Sequence, residues 1–258
     1  MSLTTAGTPT GPWLSCPRRN PQAHVRLFCF PYAGGNAQIY RAWPSSLPPV
    51  AEVHMVHLPG RGTRVLETPF TRLGPLVEEA AEALLPLLDK PFAFFGHSMG
   101  ALIGFELARL LREAHGLTPA QLWVSGRRAP QVREDEPPTH DLPEPEFIEE
   151  LRRLNGTPQE ALEHPELLQL IIPLLRADFS VCETYDYRQS PPLDCPITAY
   201  GGLEDKDVSR EQLEAWREQT ISSFKLRMLP GDHFFLHSAH ALLMEALSQE
   251  LGLLVRRL

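Results

Sequence analysis

Between residues 92 and 108 the chain reads Phe-Ala-Phe-Phe-Gly-His-Ser-Met-Gly-Ala-Leu-Ile-Gly-Phe-Glu-Leu-Ala. Strand-forming residues run into Gly96-His97-Ser98-Met99-Gly100, and a helical apolar pattern starts at once behind them. A strand that turns into a helix across one corner brings the residues flanking that corner against neighbouring backbone. Gly96 and Gly100 remove the side chains that would clash there. Ser98 is left at the apex in a strained conformation, with its hydroxyl raised above the sheet edge. The N–H groups of the following helix point at the same place and favour negative charge. A strand, then G-x-S-x-G, then a helix is the setting of a nucleophilic serine. His97 is adjacent to the serine, and adjacent side chains diverge, so it is expected to pack inside the turn rather than act as the base.

The rest of the chain supplies a matching scaffold. Short apolar runs at 25–30, 53–58, 92–95, 122–125, 196–200 and 224–229 read as strands. Helical spacing covers 73–88, 101–111, a stretch near 209–218, and 239–254, with Pro86 ending or bending the first of these. Strands alternating with helices predict an α/β fold: a mostly parallel central sheet with helices on both faces. The alternation stops between about 130 and 190, where Pro-rich and acidic stretches surround helical patterns at 146–154 and 165–175. This reads as an insertion in a single domain of 23–258, preceded by a flexible Thr/Gly/Pro-bearing tail over 1–22. The net charge of −8 argues against non-specific nucleic-acid binding, which needs a basic field. No apolar run approaches the ~20 residues of a membrane span, and the N-terminus has neither the basic start nor the apolar stretch of a secretory signal. Cys16, Cys29, Cys182 and Cys195 are scattered, with no C-x-x-C pair, as expected of reduced thiols in the cytoplasm.

A serine hydroxyl is a poor nucleophile at neutral pH and needs a base, oriented in turn by an acid. On a scaffold of this kind the chain order is serine, acid, histidine. His233 follows the last strand directly, in Gly231-Asp232-His233-Phe234-Phe235. His237 and His240 are expected on the last helix, partly exposed, and Asp232 as a loop-stabilising carboxylate. The four-residue spacing of His233 and His237 imitates a zinc pair. It lacks the intervening glutamate and begins in a Gly-Asp loop, so no metal is expected. For the acid, Glu204, Asp205 and Asp207 compete after Gly201-Gly202, with Asp205 preferred. Acyl transfer also needs donors for the tetrahedral oxyanion. The backbone N–H of Met99 is one, and the loop Pro31-Tyr32-Ala33-Gly34-Gly35 is placed to supply the second.

Six segments in order carry a resemblance: Pro31-Tyr-Ala-Gly-Gly35, Leu58-Pro-Gly-Arg-Gly62, Gly96-His-Ser-Met-Gly100, Leu154-Asn-Gly-Thr-Pro158, Leu175-Arg-Ala-Asp178 and Gly231-Asp-His-Phe-Phe235. Together they resemble the type II thioesterases, stand-alone α/β-hydrolases that serve polyketide and nonribosomal-peptide synthases. The likeness runs from about residue 25 to the C-terminus. It implies Ser98 as the acyl-accepting nucleophile, Asp205 as the triad acid, His233 as the base, and the Ala33 and Met99 N–H groups as the oxyanion hole. Members usually carry Gly-Asp at the triad aspartate, whereas Gly202-Leu203-Glu204-Asp205 stands here. The resemblance further implies that about 130–190 is a helical lid over an acyl chamber. The substrate would be an acyl or peptidyl carrier protein with its phosphopantetheine arm, from which aberrant or stalled units are removed. No cofactor is needed for that chemistry, and a monomer suffices.

Within the insertion, Phe147, Ile148 and Leu151 mark one apolar helix face, while Leu167, Leu168, Leu170, Ile171, Ile172, Leu174 and Leu175 are too many for one stripe. Packing on the core or lining an acyl pocket are the two uses open to them. Arg176 and Asp178 are expected as a structural ion pair or solvated charges. Arg127, Arg128 and Arg133 are expected on a solvated surface, with an acidic carrier helix as the other possibility. Three rival functions remain: a hydrolase of oxygen esters or lactones, or an acyltransferase, on the same fold; a non-catalytic hydrolase-like binding protein; and a chain-terminating thioesterase domain. The segment before residue 25 is too short to hold a carrier domain, which favours the free-standing form over the last.

Overall fold

The computed structural model describes residues 11–133, 137–157 and 159–258. Among these, seven strands form one sheet in the order β1-β3-β2-β4-β5-β6-β7. They are β1 (Leu14–Ser15), β2 (Val25–Phe30), β3 (Ala51–Val56), β4 (Phe92–His97), β5 (Gln121–Ser125), β6 (Ile197–Gly202) and β7 (Phe224–Leu229). Only β1 runs antiparallel to its neighbour; every other pairing is parallel. β4, β5 and β6 are buried at every residue, as a parallel sheet covered on both faces requires. The helices are α1 (Trp43–Ser46), α2 (Leu73–Leu84), α3 (Met99–His115), α4 (Glu144–Leu154), α5 (Gln159–Glu163), α6 (Pro165–Glu183), α7 (Arg210–Glu214), α8 (Phe235–Ser238) and α9 (His240–Val255). None is long and apolar enough to cross a membrane.

Two cores sandwich the sheet. On one face α2 and α3 bury Leu76, Val77, Leu102 and Phe105 against Phe28, Phe30 and Phe94. On the other, α9 sets Leu243, Leu247 and Leu251 against Leu27, Phe95 and Trp123. The helical stripe expected from 73 breaks at Leu84, and the chain tightens into a 3-10 turn at Leu85–Leu87. Pro86 brings no N–H to continue the ladder. β3 begins two residues earlier than expected, because parallel pairing with β2 runs from Val25↔Ala51 to Cys29↔Met55.

The expected tail needs correction. Residues 1–10 lie outside the described residues, but the following ones are built into the sheet. Leu14 and Ser15 pair with Val56 and Met55, Trp13 is buried, and the Arg64 guanidinium lies over its ring at 4.3 Å. A two-residue strand shows no periodicity, so only Trp13 could have signalled it.

The interruption at 130–190 corresponds to α4, α5 and α6, inserted between β5 and β6. These helices carry a small core of their own: Phe147, Leu151, Leu162, Ile172 and Leu175. α6 runs to Glu183, beyond the expected 175, and holds Pro173 in its interior.

Candidate active site

Four loops leave the carboxyl ends of parallel strands and converge, as the open edge of an α/β sheet dictates. They follow β2, β4, β6 and β7, and they carry Ala33, Ser98, Asp205 and His233.

At the end of β4 the corner forms as the glycines predict. Ser98 has φ 52 and ψ −115, in the positive-φ half of backbone space that residues with side chains avoid. A Cβ on Gly96 would lie 2.0 Å from the Gly100 carbonyl oxygen, and one on Gly100 would lie 2.1 Å from that of Phe30. The Ser98 N–H is tied to the Ser125 carbonyl at 2.7 Å, locking the apex to β5. α3 starts at Met99, and the N–H groups of a first helical turn have no partner within the helix. His97 is fully buried, and its Nδ1 lies 2.8 Å from the Ser125 hydroxyl. Burial, with lesser contributions from the nearby His233 and His237, holds its pKa well below the usual histidine value, so the ring is neutral.

Of the three competing carboxylates, Asp205 is the one beside His233. Its Oδ2 accepts from His233 Nδ1 at 2.9 Å. Its Oδ1 accepts the backbone N–H groups of Asp207 and Val208 at 2.9 and 3.1 Å. Asp207 turns the other way and binds Arg153 Nη1 of α4 at 2.8 Å, while Glu204 is exposed. Asp232 accepts from the Phe234 N–H at 2.9 Å and so steadies the loop that carries His233. His237 is exposed on α8, and its Nε2 sits 3.0 Å from the Tyr32 hydroxyl. With Asp205 on its Nδ1, His233 keeps Nε2 for a second partner.

Asp205, Asp207 and His233 bring donor atoms within 4.8 Å of one another, yet His233, backbone N–H groups and Arg153 already engage them. Cys16, Glu52 and His54 form a second group of this kind. There Arg26 Nε stands 3.5 Å from Glu52, and burial pushes the Cys16 thiol up to about 11. A metal needs the thiolate, which this setting disfavours.

Two cavities meet at the serine. One, of about 250 Å³, is lined by Ile171, Leu174, Leu175 and Phe179 of α6, Leu151 and Leu154 of α4, and Phe234; Ser98, Ala33 and His233 lie on its wall. The other, of about 620 Å³, is more polar and has Arg127, Arg128, Arg133 and Lys206 in its lining; it shares Ala33, Ser98 and His233 with the first. The apolar residues of α6 thus divide among three environments. Ile171, Leu174 and Leu175 line the chamber, Ile172 packs in the lid core, and Leu167 and Leu170 face solvent.

Arg176 and Asp178 do not pair with each other. Arg176 donates to the His140 carbonyl and lies over the Phe147 ring at 4.4 Å. Asp178 binds Arg61 through both oxygens, at 2.6 and 2.7 Å, and both residues are buried. Arg61 is the residue that sequence reading passed over. Its only signal was its place in Leu58-Pro-Gly-Arg-Gly62.

Known proteins close the argument. A family model for the thioesterase domain matches residues 25–250. A protein of Brevibacillus parabrevis, linear gramicidin dehydrogenase LgrE by name, is 49% identical over 242 residues, covering 93% of this chain and 92% of its own. RedJ, a thioesterase of prodiginine biosynthesis in Streptomyces coelicolor, superposes with a TM-score of 0.83 at 41% identity, covering 88% of this chain and 91% of its own. The type II thioesterase BorB of the borrelidin biosynthetic cluster does so with a TM-score of 0.86 at 35% identity, covering 95% of this chain and all of its own. With its α/β-hydrolase sheet, the chain therefore belongs to the thioesterase family, among the type II thioesterases of polyketide and nonribosomal-peptide pathways.

Proposed function

We propose that this thioesterase hydrolyses acyl groups from the phosphopantetheine arm of acyl or peptidyl carrier proteins, with Ser98 as nucleophile, His233 as base and Asp205 as the acid that orients it. The observation that carries this reading is the meeting of an apolar and a polar cavity at Ser98, beside a histidine anchored at Nδ1. The apolar chamber suits an acyl chain, and the polar cleft suits the amide-bearing pantetheine arm.

The reaction has two halves. His233 Nε2 takes the Ser98 proton as Oγ adds to the thioester carbonyl. The oxyanion is held by the Ala33 and Met99 N–H groups. The tetrahedral intermediate collapses by breaking the C–S bond, and the proton on His233 passes to the departing thiolate. Water, deprotonated by His233, then attacks the acyl-serine, and Ser98 recovers its proton as the free acid leaves. Asp205 holds the imidazole tautomer and stabilises the imidazolium. Thioesters lack amide-like resonance, so these groups suffice. The same reading puts the enzyme, as a monomer, in the cytoplasm, where its four unbridged cysteines stay reduced.

The test is mass-spectrometric release from carrier proteins loaded with acetyl, propionyl and longer chains, comparing wild type with Ser98→Ala. Serine-dependent unloading, faster than hydrolysis of simple oxygen esters, is expected. Turnover of oxygen esters alone would refute the carrier substrate and leave the serine mechanism standing.

A further inference from the structure

Asp178 and Arg61 line neither cavity, yet they reach the loop that holds Ala33. The Gly34 N–H donates to Asp178 Oδ2 at 2.7 Å. Arg61 Nη1 and Nη2 grip the two oxygens of that carboxylate. The same Nη1 also donates to the Gly35 carbonyl at 3.3 Å, and Nε donates to the Pro59 carbonyl at 3.2 Å. Two successive residues of the loop are therefore fastened, one through its N–H and one through its C=O.

The peptide geometry then bears on Ala33. The Gly35 N–H donates to the Tyr32 carbonyl at 2.9 Å, which turns that carbonyl inward. In a planar trans peptide the C=O and N–H point opposite ways. The Ala33 N–H, on the same peptide plane as the Tyr32 carbonyl, therefore points out of the turn, and Ala33 borders both cavities beside Ser98. The turn needs φ +74 at Gly34, and a Cβ there would lie 2.5 Å from Leu175 Cδ2 of α6. Glycine supplies that conformation but does not hold it; an external clamp must.

We propose that the buried Arg61–Asp178 pair is a positioning device for the reaction: it clamps the Tyr32–Gly35 turn from α6 and so aims the Ala33 N–H at the oxyanion. This rests on Ala33 acting as an oxyanion donor. Neither residue touches the reacting atoms. A carboxylate is the acceptor because it can bind Gly34 and Arg61 at once, and the bidentate arginine fixes its plane. The clamp also ties the donor loop to the lid, since Asp178 and Leu175 both belong to α6.

Two variants test it. Asp178→Asn keeps the shape and weakens the grip of Arg61. The pair Arg61→Met/Asp178→Leu removes both charges together, an exchange that buried ion pairs often tolerate, and it leaves Gly34 with no acceptor. In either variant kcat on an acyl-pantetheine thioester should fall roughly 10- to 100-fold, with KM held within about threefold. The affinity for an alkylboronic acid, which forms a tetrahedral adduct on a nucleophilic serine, should weaken by the same factor as kcat/KM. A folded variant of either kind with wild-type kcat and wild-type boronate affinity, whatever its Tm, overturns the proposal; if the double variant does not fold, Asp178→Asn decides. A wild-type enzyme that showed no serine-dependent turnover would instead defeat the functional reading, before any clamp variant was measured.

Discussion

The backbone at Ser98 offers a stability measurement that is independent of any substrate. With φ 52 and ψ −115, the residue occupies a region that costs a Cβ-bearing residue about 1–3 kcal/mol. The Ser98 side chain makes no capping hydrogen bond to α3, so Ser98→Ala and Ser98→Gly remove the same hydroxyl and differ only by the Cβ. At an ordinary position the glycine variant would be the weaker by about 0.5–1 kcal/mol, through the entropy of the unfolded chain. Here release of strain opposes that cost, and Ser98→Gly should exceed Ser98→Ala by about 1 kcal/mol, and by no more than about 2.5 kcal/mol. For a chain of this length about 1 kcal/mol corresponds to a Tm gap of roughly 2–4 °C. Calorimetry and urea unfolding of the two variants, side by side, provide the assay. Both proteins should be inactive towards acyl thioesters. An alanine variant as stable as the glycine variant, or more so, would refute the strain argument and with it the explanation for the raised hydroxyl.

Other perturbations follow from the site geometry. Asp205→Asn should lower kcat by about 10⁴-fold with the fold intact, because the amide no longer holds the imidazole tautomer; a loss under about tenfold in thioester turnover would point away from Asp205 as the orienting acid. Gly156→Ala would set a Cβ 2.5 Å from Phe234 Cζ, so the ring should swing into the apolar chamber. Turnover of longer acyl chains should then drop while acetyl turnover is kept, read from a chain-length series. His97 is held neutral by burial, whereas an unfolded histidine titrates near ~6.5. Below that pH the unfolded state binds the extra proton, so stability is full above ~6.5 and declines as pH falls. The urea midpoint should drop from about pH 7 to about pH 5, and His97→Gln should flatten that slope; an unchanged slope would assign the acid sensitivity to other groups.

What could be read from the sequence, and what could not, divides along one physical line. Ser98, its glycines and the helix behind it were legible because covalent neighbours impose the geometry: a corner that tight accepts few residues. β2 and β7 were legible because their apolar runs are short and end in turn residues, at Pro31 and at Pro230-Gly231. The trouble began wherever a side chain is chosen by a partner far along the chain. Three carboxylates within four residues look alike until Arg153, 54 positions earlier, draws Asp207 away from the one that meets His233. Trp13 looked like part of a tail until β3 and Arg64 gave it a surface to bury. Asp178 was read beside Arg176 because the two are close in sequence, yet its partner lies 117 residues away. No periodicity reports such a pairing, and burial is what makes it specific: a carboxylate out of water must find a cation with matching geometry. The same burial explains why this pair, and not the exposed Arg152–Glu149 pair on α4, can act on the site. An exposed pair trades its partner for water at little cost. One sealed beneath the Tyr32–Gly35 turn has no such alternative, so the position it enforces on Gly34 is passed to the peptide beside Ser98.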